Sequence, residues 1–211
     1  MVDIIPARDP ECAPYAAELL RSGELVVVPT DTVYGLAAAA SNEAAVRRLY
    51  AVKGRSLDKP LPLLIANTVE ASAIGEVTPV AQQLMGRFWP GALTIVLRRQ
   101  PGFRSLALAK QETVALRVPD HELVRDIIRL LGEPVTGTSA NRSGARAPVS
   151  AAEAALGLGD LVALVIDGGR APGGVQSTVV DVSEGAPRLV REGAVRREDV
   201  EAVLGRRLAE S

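Results

Sequence analysis

Residues 26–65 read VVVPTDTVYGLAAAASNEAAVRRLYAVKGRSLDKPLPLLI, and the fold turns on how this stretch is parsed. Leu25 to Val28 form a continuous apolar run between Gly23 and Pro29, the pattern of a short strand covered on both faces. A hydroxyl-rich loop with Thr30 and Thr32 follows. Asn42 is placed to cap a helix over 43–52, with Val46, Leu49 and Tyr50 at core spacing, and Gly54 stops it. Lys53, Arg55 and Lys59 therefore gather at or just past a helix C-terminus, and residues 61–66 return as a strand. A hydroxyl loop can grip a small polar molecule, and such a cation cluster can hold a polyphosphate. The plainer alternative is that the threonines cap a turn and the cations are a solvated helix end favoured by the dipole.

Outward from this unit, helices and strands continue to intermix. Residues 3–7 read as an edge strand. Asp9-Pro10 reads as a helix start with proline at the first helical position, and Gly23 as that helix's end. Thr78-Pro79 opens a helix reaching Phe88, Trp89-Pro90-Gly91 forms a turn, and 93–97 and 113–118 are strands. Glu122 to Leu131 form a helix closed by Gly132. Residues 138–144 are a polar loop with almost no helix or strand preference, and Ser150 with Glu153 makes a capping box. A strand at 161–166, a glycine-rich turn at 167–174, a strand pair at 177–182 and 188–191 and a helix at 197–204 complete the chain. No linker, repeat or low-complexity tract interrupts it. The expectation is one α/β domain over residues 1–211 with a mixed, twisted β-sheet, since not every strand pair has a helix between.

The totals narrow the function. The chain has 211 residues, a net charge of -1 and a pI of about 6.0, which does not favour a dedicated nucleic-acid binder. Cys12 is the only cysteine, so neither an internal disulfide nor a cysteine zinc site is available. His121 is the only histidine, and its place before a helix predicts a surface or capping role. No secretory leader pattern and no apolar run of membrane-spanning length are present, so a cytoplasmic location away from membranes is expected. Of 24 basic residues three are lysines, Lys53, Lys59 and Lys110. In a chain that otherwise uses arginine, a lysine can mark a place for a compact point charge.

Polar residues recur where strands end. Thr30 and Thr32 follow one strand, Arg117 closes another, Ser139 and Asn141 follow a third, Ser177 and Thr178 open a fourth, and Arg191 ends a fifth. In open α/β sheets ligands bind at such ends. Together these residues predict one pocket for an anionic ligand with a polar organic part, such as a nucleotide with a small acid. Neither a P-loop nor a G-x-G-x-x-G motif is present.

Seven segments carry a resemblance that covers nearly the whole chain: PTDTVYGL at 29–36, KGRSLDKPL at 53–61, WPGALTIVL at 89–97, VALRVPDH at 114–121, TSANRSG at 138–144, QSTVVD at 176–181 and LVREG at 189–193. In this order they resemble the YrdC/Sua5 family of threonylcarbamoyl-adenylate synthases. The resemblance implies a twisted α/β sheet around a concave, positively charged cavity. It implies that L-threonine, bicarbonate and ATP give threonylcarbamoyl-AMP and pyrophosphate, for a partner transferase that completes the t6A modification at position 37 of tRNA. By matching position, Lys53 and Arg55 are implied as catalytic. Thr32, Arg117, Gly137 and Ser177 are implied as threonine contacts. Arg55, Lys59, Thr113, Ser139, Asn141, Ala147 and Arg191 are implied as nucleotide contacts, Ala147 through its backbone. Mg2+ would arrive on the ATP phosphates, with no protein metal ligand set.

The chain also departs from the family pattern. Leu64 stands where many relatives have histidine, and Asp31 where glutamate is usual. The chain resembles the single-domain form, without the second domain of the longer Sua5 proteins. Two rivals stay open: a YrdC-fold RNA-binding protein, or at least weak RNA binding beside the reaction, and a paralogue acting on another amine or carbamoyl donor.

Overall fold

A computed structural model describes residues 2–209. In chain order the elements are β1 (Asp3–Pro6), α1 (Cys12–Arg21), β2 (Val26–Val28), β3 (Gly35–Ala37), α2 (Glu43–Lys53), β4 (Leu63–Leu64), α3 (Ala71–Ile74), α4 (Pro79–Phe88), β5 (Leu93–Arg98), β6 (Thr113–Arg117), α5 (Glu122–Leu131), β7 (Val135–Thr136), β8 (Thr138–Ser139), α6 (Ala151–Leu158), β9 (Leu164–Asp167), β10 (Thr178–Asp181), β11 (Arg188–Arg191) and α7 (Arg197–Leu204).

The capping chemistry sets several of these boundaries. Asn42 accepts from the Ala45 N–H at 3.0 Å, and Gly54 closes α2 at φ +59°. Thr78 accepts from the Ala81 N–H with Pro79 opening α4. α1 begins later than the sequence predicts. Asp9 Oδ1 accepts from the Glu11 N–H at 3.0 Å, so Asp9-Pro10 forms a turn and the helix starts at Cys12.

The strands form two mixed sheets rather than the one expected. The first has the order β1-β9-β2-β3-β8 and the second β11-β10-β5-β6-β4-β7. β1 is an edge strand, as its position in the sequence suggests. The chain passes between the sheets after β3, β7 and β9, and the crossing after β7 takes a single residue. β7 pairs antiparallel with β4 in the second sheet, and β8 pairs antiparallel with β3 in the first, with Gly137 between them. A Cβ at Gly137 would lie 2.8 Å from both Cδ2 and Cγ of Leu64, so the crossing needs a residue without a side chain. The 138–139 segment, read from sequence as loop, is held as a strand by backbone pairing with Gly35 and Leu36.

Burial follows the strand period. Val27, Leu36 and Val165 join the larger core, whereas Val26, Val28, Leu164 and Ile166 face α1 and α5 in a second layer with Cys12 and Leu20. The apolar run at 25–28 is covered on both faces because each sheet face has its own helical or sheet partner. Trp89 is buried and donates Nε1–H to the Leu93 carbonyl at 2.6 Å, anchoring the turn into β5.

Candidate active site

A cavity of about 440 Å³ opens where the two sheets meet. The loop after β2 contributes Thr30 and Thr32, and the end of α2 contributes Lys53, with Arg55 and Lys59 just beyond. β4 contributes Leu64, β6 Arg117, the β7–β8 switch Gly137, and the loop after β8 Asn141. Ser177 and Arg191 close the far side. Five side chains on this wall are cationic, and among the described residues no Asp or Glu lines it. Such a wall raises the local concentration of anions.

Arg117 is buried and fully engaged on one side. Its Nε donates to the Gly91 carbonyl at 2.8 Å, NH1 to Thr32 Oγ1 at 2.9 Å, and NH2 to Asp31 Oδ1 at 2.5 Å. Thr32 Oγ1 also lies 2.9 Å from Thr30 Oγ1, which donates to the Val33 carbonyl at 2.6 Å. Burial pushes the guanidinium down from its ordinary value and Asp31 opposes this. Five guanidinium donors with three used leave one N–H on each terminal nitrogen, a pair suited to a carboxylate.

Lys53 is only 3% exposed. Its Nζ donates to the Ser139 carbonyl at 2.5 Å and the Asn141 carbonyl at 2.8 Å, while its own carbonyl accepts from the Ser143 N–H at 2.7 Å. The lysine and the 139–143 loop thus brace each other along the cavity wall. Burial first, and neighbouring Arg55 second, lower its pKa to about 8. Arg55 is held by the Lys59 and Pro60 carbonyls at 3.3 and 2.9 Å. Asn141 points its amide N–H groups at the Arg142 and Ala145 carbonyls, and its Oδ1 is buried without a partner. Opposite, Arg191 reaches the Ser177 carbonyl at 2.7 Å and Gln176 Oε1 at 2.7 Å.

The structure therefore brings Lys53, Arg55, Lys59, Thr32, Arg117, Gly137, Ser139, Asn141, Ser177 and Arg191 to one hollow. It does not bring Thr113 or Ala147 there. Thr113 starts β6 and Arg117 ends it, about 13 Å apart along a strand. Ala147 lines a neighbouring cavity of about 340 Å³ that shares Asn141 and Ala145 with the first. His121 occupies the position before α5 but makes no side-chain cap. Its ring is partly buried, Nδ1 has no partner, and burial lowers its pKa against the opposing pull of Asp31.

Sequence reasoning passed over two supports. Asp31 was noted only as an unusual residue, and Thr94, a polar residue within an apolar strand, bonds Ser177 Oγ at 2.8 Å. The break in the apolar pattern of LTIVL was the available signal for Thr94.

Mixed sheets around a hydroxyl-lined hollow whose charged side chains are all cationic define an α/β protein with a cavity of the chemistry that suits a small anion. The Sua5/YciO/YrdC family model, described as telomere recombination, matches residues 18–193, and the chain belongs to that family. It is 42% identical over 207 residues to a threonylcarbamoyl-AMP synthase of Bacillus subtilis, covering 97% of this chain and 60% of that protein. It is 40% identical over 191 residues to one of Pyrococcus abyssi, covering 90% and 56%. Among solved structures, P. abyssi Sua5 complexed with L-threonine superposes with a TM-score of 0.92 at 38% identity, over 99% of this chain and 62% of that one. E. coli YciO gives 0.84 at 27% identity, over 95% and 98%. The chain thus spans about three fifths of the length of the first two relatives. No helix among the described residues is long and apolar enough to cross a membrane.

Proposed function

We propose that this chain is an L-threonylcarbamoyladenylate synthase, a nucleotidyltransferase that turns L-threonine, bicarbonate and ATP into threonylcarbamoyl-AMP and pyrophosphate in the cytoplasm. The product would pass to a transferase that modifies tRNA. The observation that carries this reading is the convergence of Lys53, Arg55, Lys59, Arg117 and Arg191 with Thr32 and Ser177 on one hollow. Family membership and the relatives' names support it.

In this reading the two free N–H groups of Arg117 take the threonine carboxylate, with Thr32 and Ser177 beside it and the Gly137 backbone beneath. The threonine amine forms a carbamate, from carbon dioxide with release of a proton or from bicarbonate with release of water, and the hollow shields it from water. The carbamate oxygen attacks the α-phosphorus of ATP, a new P–O bond forms, and pyrophosphate leaves with the electrons of the broken bond. The carbamate is already anionic, so the step needs positioning and charge neutralisation more than a protein base. Lys53 and Arg55 meet the charge that develops on the phosphates. Lys59, Ser139, Asn141 and Arg191 hold the nucleotide.

The wall's oxygens are hydroxyls and amides, and among the described residues no group of His, Cys, Asp or Glu could hold a metal by itself. That set fits a magnesium ion that would arrive on the phosphates and take most of its ligands from phosphate oxygens and water. Bound there, it would neutralise phosphate charge.

Mass spectrometry after incubation with ATP, L-threonine, bicarbonate and magnesium tests the reading, with threonylcarbamoyl-AMP as the expected product. Lys53→Ala should abolish pyrophosphate release with the fold intact, and near-normal turnover would refute the role given to Lys53. Leu64 favours a second reading, in which the amine differs. It lines the cavity beside Arg117, its parallel strand partner, and offers no polar contact. Faster turnover of serine, valine or another amino acid than of threonine would select that reading.

A further inference from the structure

Lys110 is the lysine that the proposed reaction leaves unused. It stands on the wall of a second cavity, of about 480 Å³, that shares no lining residue with the first. Arg104 lies on the same wall, and Phe103, Leu106 and Leu108 supply apolar surface. The volume lies within the usual range of small-molecule sites.

The wall is preformed. Arg99, with a side chain 8% exposed, donates to the carbonyls of Gln100, Pro101 and Phe103 at 3.1, 3.2 and 3.0 Å, and to Glu112 at 2.8 Å. Ser105 Oγ donates to the Ala40 carbonyl at 2.6 Å and caps the 3₁₀ turn Leu106–Leu108 through the Ala107 N–H. Ala109 and Lys110 then adopt φ of +51° and +63°. Two successive side-chain-bearing residues in the left-handed region are rare, and such backbone gathers at ligand clamps where the surroundings over-determine it.

Charge completes the case. Among the described residues neither Arg104 nor Lys110 has a hydrogen bond or an ion pair. The acidic residues on the same wall are engaged elsewhere, Glu43 with Arg47 and Glu112 with Arg99. Two cations without an ion pair therefore stand beside an aromatic and aliphatic floor.

We propose that this cavity is a second anion site, taking a small molecule with one phosphate group and an aromatic or apolar body. The phosphate would lie between Arg104 and Lys110, with the body against Phe103. Glu43 and Glu112 on the same wall disfavour the repeated phosphates of a nucleic acid and tolerate a single one. The turn also touches a segment next to the first cavity. The Leu61 N–H donates to the Ala107 carbonyl at 2.8 Å, so the turn supports the segment that carries Lys59. This assignment does not depend on the reaction proposed above.

The test is a titration of the whole chain with phenyl phosphate, followed by NMR at the backbone amides of residues 103–112. Saturable shifts at these amides are expected, and they should persist in Lys53→Ala, which disables the first site. They should weaken about tenfold in the Arg104→Gln/Lys110→Gln variant, the loss of two charge-assisted contacts, and survive in Lys110→Arg. Both substituted side chains are exposed, and a thermal melt confirms the fold of each variant. Absence of saturable shifts at millimolar ligand, or shifts unchanged in the double variant, would overturn the site. Tighter and steeply salt-dependent binding of a short RNA duplex at the same amides would also overturn it, in favour of a nucleic-acid surface.

Discussion

The NH2 group of Arg117 lies 2.5 Å from Asp31 Oδ1, and the same oxygen accepts the Asp120 N–H at 3.1 Å. One acidic atom thereby fixes the most buried guanidinium of the cavity and ties the loop after β2 to the entry of α5. With Nε on Gly91 and NH1 on Thr32, the guanidinium is held before any ligand arrives. Pre-orientation of this kind lowers the cost of ordering a side chain on binding.

Asp31→Ala should leave the Arg117 charge buried and unpaired. A destabilisation of about 3–5 kcal/mol is expected, the usual consequence of removing one partner of a buried pair. Urea unfolding measures it. Asp31→Leu combined with Arg117→Met should recover part of that loss, because no buried charge then remains. Equal stability of the single and double variants would contradict a coupled pair.

Lys53 gives the pH dependence. Its folded pKa is lowered to about 8 from the ordinary lysine value of 10.5. Below about 8 the lysine is protonated in both folded and unfolded chains, and burial of the charge opposes folding. Between about 8 and 10.5 the unfolded chain binds more protons, so stability should rise with pH across that window. Activity runs the other way: pyrophosphate release should decline as pH passes through about 8 and Lys53 loses its charge. Lys53→Arg keeps its charge over this range, so whatever rate it retains should lack the decline. A pH–rate profile of both proteins, with urea titrations at each pH, checks the two limbs.

Gly137 and Leu64 should behave as a coupled pair. Gly137→Ala brings a Cβ to 2.8 Å from the Leu64 side chain, and overpacking of this kind costs about 1–3 kcal/mol. Leu64→Ala opens that space, so the double variant should be more stable than additivity allows. Thermal or urea unfolding of the four proteins completes the cycle. If the two losses simply add, the close approach at the sheet switch does not limit this position.

Thr94→Val removes the hydroxyl that bonds Ser177 Oγ and keeps the shape of the side chain. Because Thr94 is buried, the lost bond should cost about 1 kcal/mol of stability. Freed from Thr94, Ser177 Oγ keeps only a 3.4 Å contact from Arg191. The KM for threonine should therefore rise several-fold with a smaller change in kcat. Steady-state kinetics of pyrophosphate release distinguish this split from a general loss of enzyme.

Much of the architecture was legible because its causes are local. Val26 to Val28 announce a doubly covered strand through continuous branched apolar residues. Asn42, Thr78 and Gly132 mark helix ends through the one hydrogen bond or the one left-handed residue each boundary needs. The cations and hydroxyls of the cavity were visible as polar residues recurring where strands end. Ser139 in β8 shows the limit: its strand character arises from pairing with Gly35, about a hundred residues away, and backbone pairing leaves no mark in a short polar segment.

The sequence by itself determined the mixed α/β class, most helix boundaries and the set of polar residues available to a site, because propensity, capping and hydrophobic period act between near neighbours. Only the tertiary structure decided that the strands divide into two sheets with a one-residue crossing at Gly137, that Thr113 and Ala147 stand outside the hollow, and that Asp31 holds Arg117. Those outcomes depend on close approaches between segments far apart in the chain, where a missing Cβ or a single buried carboxylate oxygen sets the geometry.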